Sequence, residues 1–260
     1  WPQVARTLCS RHTGIGADGM LVLEASRRAD VRMRIFNVDG SEAQMCGNGA
    51  RCVALYHVQQ QATSDKQHGS TRRSVTIETK VGMLSAMVRG ERVAMRMTDP
   101  TGLELGRRVA AGGCRFRLSV VNTGVPHAVV PVAAVDRVDV QRLGRTLRRH
   151  PAFAPRGTNV NFIQAAGRRL RVRTYERGVE EETLACGTGI AASAIIHGLS
   201  RTNGSNGRIR VEVEPRSGDR LSVSFAVRHR RGEQRVTDVV LTGPAQRVFD
   251  GAVEWPTRRG

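Results

Sequence analysis

The chain is poor in aromatic side chains and almost without lysine. Aromatic residues form 4% of its 260 positions, and Lys66 and Lys80 are its only lysines. So few rings leave little on which nucleic-acid bases could stack. Neither lysine lies in the glycine-rich, phosphate-binding context that pyridoxal phosphate needs. The sequence therefore predicts no cofactor and does not favour a nucleic-acid partner.

Long hydrophobic runs and paired-cysteine motifs are also missing. No stretch approaches the roughly 20 apolar residues of a membrane span, and residues 1–10 lack the apolar core of a signal peptide. The cysteines are odd in number and lack CxxC or Cys/His ligand spacing, which argues against a disulfide framework and a zinc site. We predict a cytoplasmic protein with free thiols, no membrane contact and no metal. Its cysteines are Cys9, Cys46, Cys52, Cys114 and Cys186.

Positive charge is in large excess. The chain has 41 lysines and arginines against 23 acidic residues, a formal net charge of +18. Such a surface attracts anions and leaves open an arginine-rich nucleic-acid-binding protein. Because the arginines are scattered along the chain, we favour a solvated basic surface.

Strand-like alternation is the dominant local pattern. Apolar and polar residues alternate over 31–35, 93–97, 170–174, 209–213 and 221–225. Helical patterns are confined to 49–60, 189–199 and, more weakly, 135–148, while the polar stretches 59–73 and 201–208 are predicted as loops. The fold class predicted is α+β, not a doubly wound sheet.

The segment GIGADG at 14–19 formally matches the dinucleotide-binding glycine pattern, and Asp39 lies about 20 residues further on, as that pattern asks. The residues that follow it, MLVLE, are strand-like. A dinucleotide-binding turn must instead open a helix after a strand, so we reject this interpretation.

An internal repeat is the most informative feature. The strand RMRIFN ends at Asn37 and is followed by an acidic loop and Cys-Gly-Asn-Gly at 46–49, which opens a small-residue helix. The strand RVRTYE ends at Glu176 and is followed by an acidic loop and Cys-Gly-Thr-Gly at 186–189. Two similar halves that face one another would bring Cys46 and Cys186 together.

Cysteines in this position suit proton transfer. A helix N-terminus offers unpaired N–H groups and a positive dipole end, which stabilise a thiolate and lower the pKa of the thiol. The same N–H groups bind a carboxylate, and neighbouring glycines let it approach. Two such starts could hold an amino acid while a thiolate removes its α-proton and a thiol on the other face returns one. We expect the remaining three cysteines to be small buried apolar groups.

Two long motifs resemble those of the diaminopimelate epimerase family. FNVDGSEAQMCGNGARC (36–52) and YERGVEEETLACGTG (175–189) are similar to the family's two catalytic motifs. Further similar segments follow the family's order and extend the resemblance over essentially the whole chain: HTGIGADG (12–19), NTGVPHAVV (122–130), GTNVNF (157–162) and LTGPAQRVFDG (241–251).

The resemblance implies two pseudo-symmetric domains, each a curved antiparallel sheet around a central helix, with the active site in the cleft between them. The N-terminal half would cover 1–92, with a strand at 245–257 returning to it, and the C-terminal half 93–244. The implied reaction is cofactor-independent epimerisation of LL-2,6-diaminopimelate to the meso form, in lysine and peptidoglycan precursor biosynthesis. The implied assembly is a homodimer.

The resemblance also assigns site residues. Cys46 and Cys186 would be the acid/base pair, Glu176 would contact the reacting amino group, and His127 lies where the family has a site histidine. The backbone N–H groups that would hold the reacting carboxylate belong to Gly47, Asn48, Gly187 and Thr188. The residues that would grip the distal end of the substrate are Asn37, Asn159 and Arg177. An arginine suits that place, because its guanidinium matches a carboxylate in two hydrogen bonds.

The chain departs from the family pattern at its start. The family normally begins with a strand carrying Gly-Asn-Asp-Phe, and nothing before His12 resembles it. We therefore expect that an N-terminal strand is missing and that the first sheet has an exposed edge. Val125 and Gly19 replace more polar family residues and leave the distal specificity open.

Other functions remain open on the sequence alone. A racemase of the same fold acting on another amino acid, such as histidine, would keep both cysteines and change the distal contacts. An inactive truncated homologue and an arginine-rich nucleic-acid-binding protein are further alternatives. Singly, Asn37 could begin a turn, His127 could be a loop histidine, and Arg177 could be one surface arginine among many.

Overall fold

A computed structural model describes residues 1–64, 72–202, 205–230 and 233–254. Within these ranges the helices are α1 (Pro2–Leu8), α2 (Gly47–Ser64), α3 (Val140–Arg148) and α4 (Gly187–Leu199), with short 3₁₀ helices at Val135–Arg137 and Pro151–Phe153. The strands of the first part are β1 (Gly19–Glu24), β2 (Val31–Asn37), β3 (Glu42–Ala43), β4 (Arg72–Thr79), β5 (Gly82–Arg89), β6 (Arg92–Arg96), β7 (Thr101–Ala111) and β8 (Cys114–Asn122). Those of the second part are β9 (Pro126–Pro131), β10 (Asn159–Ala166), β11 (Arg169–Glu176), β12 (Glu181–Thr183), β13 (Gly207–Pro215), β14 (Leu221–Arg230) and β15 (Glu233–Pro244).

The predicted α+β class is confirmed. The five strands and two small-residue helices predicted from local patterns all appear, and the weaker run at 135–148 is divided into a 3₁₀ helix and α3. Both predicted small-residue helices begin two residues earlier than their apolar patterns indicate, because each cysteine carbonyl already accepts the first helical hydrogen bond. The loop predicted over 59–73 was wrong for 59–64, where α2 continues, and for 72–73, where β4 begins. The loop predicted over 201–208 was wrong for 207–208, where β13 begins. Positions 65–71 and 203–204 of the predicted loops lie outside the described residues.

The strands of both halves form one sheet, in the order β1-β2-β4-β5-β6-β15-β14-β13-β11-β10-β9-β8-β7. Read outward from the β6–β15 pair, β5-β4-β2-β1 on one side corresponds to β14-β13-β11-β10 on the other. Since β6 and β15 are antiparallel, the two halves are related by a pseudo-two-fold axis at this pair. The repeat seen in the sequence is therefore a repeat of topology, with α2 and α4 in equivalent places.

The strand pairing departs from the expected antiparallel sheets at three places. β2 pairs in parallel with β4, β11 with β13, and β9 with β10. A helix lies between the two strands of each pair, and such a crossover returns the chain in the same direction. The strand predicted at 245–257 was wrong for 245–254, which form no strand, and 255–257 lie outside the described residues. The strand that returns to the first half is β15.

One apolar core extends across both halves and contains both central helices. Ala50 and Val53 of α2, Ile190 and Ile195 of α4, and Leu241 of β15 are buried in the same cluster. A smaller core beneath α3 fixes the end of β11, where Gly144 lies so close to Tyr175 that a Cβ would overlap its ring. Burial of this extent holds the N-termini of α2 and α4 in fixed positions.

The structure of segment 14–19 is not that of a dinucleotide-binding turn. It runs from α1 into β1, and no helix opens after it. Gly14 packs against the C-terminal carbonyls of α1, where a Cβ would overlap the oxygen of Thr7. The glycine there serves a close backbone approach.

Candidate active site

Both cysteines of the repeat stand directly before the first turn of a helix. The Cys46 carbonyl accepts the N–H of Ala50 at 2.9 Å, and the Cys186 carbonyl accepts the N–H of Ile190 at 2.8 Å. The Cys46 sulfur also accepts the N–H of Gly49 at 3.3 Å. The N–H groups of the first residues of each helix have no carbonyl partner within that helix. Each cysteine is thus followed by free donors and a positive dipole end.

The two Cys-Gly turns lie against each other. A Cβ built on Gly187 would stand 3.8 Å from the Cα of Gly47, which is van der Waals contact. The side-chain amide of Asn48 donates to the carbonyl of Ala185, the residue before Cys186, at 3.4 Å. The helix starts of the two halves therefore lie side by side.

Equivalent ion pairs fix the strands that lead into the two turns. The Arg34 guanidinium donates from Nε and Nη2 to both oxygens of Glu42, at 2.8 and 3.3 Å. Arg173 does the same to Glu182, at 2.6 and 2.8 Å. Each glutamate lies four residues before its cysteine. Paired hydrogen bonds in a partly buried place hold the backbone ahead of each thiol.

Cys186 is held as a thiol. Its exposed fraction is 6%, and burial together with the nearby Glu176 carboxylate raises its pKa to about 12. The Thr188 hydroxyl, 3.4 Å from the sulfur, and the N–H groups of Thr188 and Gly189 oppose this increase but do not offset it. The expectation that a helix N-terminus lowers the pKa is therefore wrong for Cys186, because desolvation of the thiolate is the larger effect. Cys46 is less buried than Cys186.

Glu176 ends β11 beside this thiol. Burial raises the pKa of its carboxyl, while the neighbouring Thr183 hydroxyl and Cys186 thiol lower it in part. Asn37 ends β2 at the equivalent place in the other half. It is exposed, and its amide donates to the Ser41 hydroxyl at 2.9 Å. The repeat thus places an acid on one side of the site and a neutral amide on the other.

His127 is wholly buried on β9, close to the start of α4. The Asn161 amide nitrogen lies 3.1 Å from its Nδ1, and because an amide nitrogen only donates, the imidazole proton is on Nε2. Burial and then the charge of Arg177 lower the pKa of His127 to about 3, so its ring is neutral. Among the described residues, its Nε2 has no hydrogen-bond partner. A neutral ring with one unpaired donor is suited to orient a polar group, not to deliver a proton as an imidazolium.

The comparisons with known proteins agree on one family. The family model described as Diaminopimelate epimerase matches residues 2–102 and 119–248. The diaminopimelate epimerase of Aquifex aeolicus is 39% identical over 251 residues, which are 95% of this chain and 83% of that protein. That of Pelotomaculum thermopropionicum is 40% identical over 269 residues, covering 99% of this chain and 90% of that protein. This chain belongs to the diaminopimelate epimerase family.

Membership in the diaminopimelate epimerase family makes the chain an isomerase of the epimerase type. Solved structures share the fold at low sequence identity. A probable proline racemase from Agrobacterium radiobacter has a TM-score of 0.68 at 19% identity and covers 96% of this chain and 81% of its own. A hydroxyproline epimerase from Agrobacterium vitis has a TM-score of 0.60 at 20% identity and covers 92% of this chain and 75% of its own. These two show the architecture alone.

Asn159 and Arg177 are linked to each other in this family member. Asn159 is buried, its Oδ1 accepts the backbone N–H of Arg177 at 2.8 Å, and its Nδ2 donates to the Pro126 carbonyl at 3.0 Å. The Arg177 side chain donates to the Arg156 carbonyl at 3.4 Å. Asn159 therefore positions the backbone of Arg177, and the Arg156 carbonyl holds the guanidinium of Arg177.

Two residues at the site were missed by sequence reasoning. Asn161 joins His127 to the Thr174 hydroxyl, and a Cβ on Gly189 would overlap its Oδ1. Thr123 donates from its hydroxyl to the Thr188 carbonyl at 2.9 Å. The signal for Asn161 was present in GTNVNF, since alternate residues of a strand share one face.

The remaining cysteines divide in a way that the sequence did not predict. Cys9 is buried, as expected, whereas Cys52 and Cys114 are exposed, so the expectation for those two was wrong. All five thiols are free. In the part of the chain that the structure describes, no group of three or more His, Cys, Asp or Glu could hold a metal ion. No helix of the same part is long and apolar enough to span a membrane.

Proposed function

We propose that this chain converts LL-2,6-diaminopimelate to meso-diaminopimelate, with Cys46 and Cys186 as the two acid/base groups. The observation that carries the proposal is the contact between the two Cys-Gly turns, at Gly47 and Gly187. This contact supports a site with one thiol-bearing helix start on each side of the substrate, the arrangement that two-base inversion of a stereocentre requires. The choice of substrate rests on the relatives named diaminopimelate epimerase.

In this mechanism the reacting carboxylate lies between the helix starts and accepts N–H groups of Gly47, Asn48, Gly187 and Thr188. The Cys46 thiolate takes the α-proton, and the electron pair of the C–H bond moves into the carboxylate as an enolate-like species. The N–H donors and two helix dipoles stabilise that charge. The Cys186 thiol then delivers its proton to the opposite face. The product has the inverted centre, Cys46 is left as thiol and Cys186 as thiolate, and the reverse reaction uses them in the opposite order.

The other site residues have binding roles in the proposal. Glu176 contacts the reacting amino group, and His127 offers its Nε2–H to the substrate. Asn37, Arg177 and, through the Arg177 backbone, Asn159 recognise the distal amino-acid group. A guanidinium there matches the distal carboxylate in two hydrogen bonds.

The biological setting is part of the proposal. The reaction supplies meso-diaminopimelate to lysine and peptidoglycan precursor biosynthesis. The free state of all five thiols supports a reducing compartment, the cytoplasm. We further propose a homodimer with no nucleic-acid partner. We also propose a division of the chain into two halves, whose boundary, predicted between 92 and 93, lies after β6 because β6 pairs with β5.

The test is hydrogen–deuterium exchange at the α-carbon, followed by NMR in D2O. LL- or meso-diaminopimelate should take up deuterium and interconvert, while histidine and glutamate, run in parallel, should not exchange. Exchange of histidine instead would establish a racemase of other specificity. No exchange of any substrate by a folded protein would contradict the proposed activity.

A further inference from the structure

The last glycine of each Cys-Gly-x-Gly turn packs against a pair of side chains from two neighbouring strands. In the first half, a Cβ on Gly49 would lie 2.9 Å from the Leu21 side chain. Leu21 stands opposite Ile35 in the register of β1 with β2. Ile35 is buried in the main core, and Leu21 packs against that core. In this half an apolar pair supports the helix start.

The second half has a polar pair at the equivalent place. A Cβ on Gly189 would overlap Oδ1 of Asn161, and Asn161 stands opposite Thr174 in the register of β10 with β11. Asn161 is completely buried, and Thr174 is 3% exposed. Burial of an amide and a hydroxyl has a desolvation cost that Leu21 and Ile35 do not incur. Support of the helix start alone does not require this polar pair.

Every polar atom of the Asn161 side chain has a partner. Nδ2 lies 3.3 Å from the carbonyl oxygen of Ala128 and 3.1 Å from Nδ1 of His127. Oδ1 accepts the Thr174 hydroxyl at 3.0 Å. Because a carbonyl oxygen only accepts, the atom that faces Ala128 must be the amide nitrogen, and this fixes the orientation of the whole amide. Its second N–H then points to Nδ1 of His127.

This contact decides which nitrogen of His127 carries the proton. Nδ1 accepts the Asn161 N–H, and a neutral imidazole has one ring proton, so the proton is on Nε2. Nε2 is buried and has no hydrogen-bond partner among the residues that the structure describes. A ring in this form can only donate from Nε2. It cannot accept a hydrogen bond there from an ammonium group of a substrate.

We propose that Asn161, held in turn by Thr174, is a positioning residue that keeps His127 in the Nε2–H form in which it serves the substrate as a hydrogen-bond donor. The proposal rests on the proposed function, because that function gives His127 its contact with the substrate. The Leu21–Ile35 pair of the first half is the same support without this task.

The direct test observes the His127 ring without turnover. Protein labelled with nitrogen-15 histidine is studied at pH 8 by two-bond proton–nitrogen correlation NMR, and the His127 signals are those missing from His127→Gln. The wild-type ring should carry its proton on Nε2 and none on Nδ1. Asn161→Asp has nearly the same shape but offers Nδ1 only acceptors, so Nδ1 should become protonated. A wild-type ring protonated on Nδ1, or an Asp variant whose Nδ1 stays bare, overturns the proposal.

The matched control is Asn206→Asp, the same chemical change at an exposed position. The Asn206 side-chain oxygen accepts the backbone N–H of His229 at 2.6 Å, and a carboxylate keeps this contact. The variant should leave the His127 spectrum and turnover unchanged. A changed His127 spectrum in this control would mean that the response to Asn161→Asp is not local, which overturns the proposal as well.

A second variant tests whether the polar pair only packs. Asn161→Leu combined with Thr174→Ile copies the pair of the first half and leaves no unpaired hydroxyl behind. It should lower kcat by about 10- to 100-fold, because the His127 ring loses the contact that orients it. Wild-type turnover by this folded double variant overturns the proposal. Should the double variant fail to fold, the spectra of the wild type and of Asn161→Asp still decide.

A double-mutant cycle shows whether Asn161 acts through His127. In a His127→Gln background, the Leu/Ile substitution should lower kcat by less than about twofold further. A full second loss would place the effect of Asn161 elsewhere and overturn the proposal. Folded wild-type protein with the Nε2–H ring but without epimerisation would remove the proposed function. An active wild type with its ring proton on Nδ1 would remove only this inference.

Discussion

Single residues determine what each thiol is able to do at this site. Replacing Cys46 or Cys186 by alanine removes one of the two proposed proton-transfer groups and should lower epimerisation by at least about 1,000-fold. The measurement is interconversion of the two isomers, followed by chiral chromatography. Cys114→Ala, which changes an exposed thiol in the β7–β8 hairpin, is the control and should keep wild-type activity. Normal turnover by either site variant would contradict a two-base mechanism.

His127 gives a second prediction at the residue scale, for stability against acid. Its folded-state pKa is lowered from 6.5 to about 3, so between these values the unfolded chain binds a proton that the folded chain does not. Stability from this group is complete above pH 6.5 and falls as the pH falls, by about 1 kcal/mol per unit. Urea unfolding at pH 7 and pH 5 should show a smaller pH dependence for His127→Gln than for wild type. The exposed control His12→Gln should keep the wild-type dependence.

The sequence predicted the role of a residue where that role depends on its neighbours in the chain. It did not do so where the role depends on burial in the folded protein. The two cysteines stand out in the sequence because each opens a Cys-Gly-x-Gly helix start. The sequence could not show the protonation state of Cys186, since the raised pKa of its thiol comes mainly from burial in the folded protein.

At the scale of elements, the start of α4 depends on how closely it approaches β10. A methyl group on Gly189 would overlap Oδ1 of Asn161, which also holds His127 and Thr174. Gly189→Ala should therefore destabilise the protein by about 1–3 kcal/mol and lower activity, because the first turn of α4 must shift. Thermal unfolding and turnover measure the two effects. Gly207→Ala, at a position with open space around it, should change neither, and an equally stable Gly189→Ala would show that the turn adapts.

Individual helices and strands were predicted well from their own residues. The pairing between strands was predicted less well. Alternation and small-residue periodicity identify β2, α2, β11 and α4, since these patterns are complete within each segment. The parallel pairing of β2 with β4 follows only from the crossover through α2. The strand that returns to the first half was predicted too late in the sequence. Both 233–244 and the residues after it contain apolar side chains, and only the pairing with β6 distinguishes them.

The whole molecule carries a net charge of +18 on a fold whose site is built for a small amino acid. Many of the arginines are already paired on the surface, as Arg171 is with Asp136 and Arg169 with Glu214. We expect any binding of duplex DNA at low salt to be weak and to disappear at about 0.15 M salt, where such contacts are screened. Fluorescence anisotropy across a salt series is the measurement. Tight binding that persists at that ionic strength would support the nucleic-acid alternative.

The pseudo-two-fold axis at the β6–β15 pair has a consequence for how a substrate can lie between the halves. A two-fold rotation about the bond between the α-carbon and the carboxylate exchanges the two faces of a planar enolate-like species, but it also exchanges the places of the amino group and the side chain. These two groups need different partners, so a perfectly repeated frame could not bind the species in one orientation. In the proposed reaction Glu176 against Asn37 is the departure from the repeat that meets this need, because one contacts the amino group and the other the distal chain.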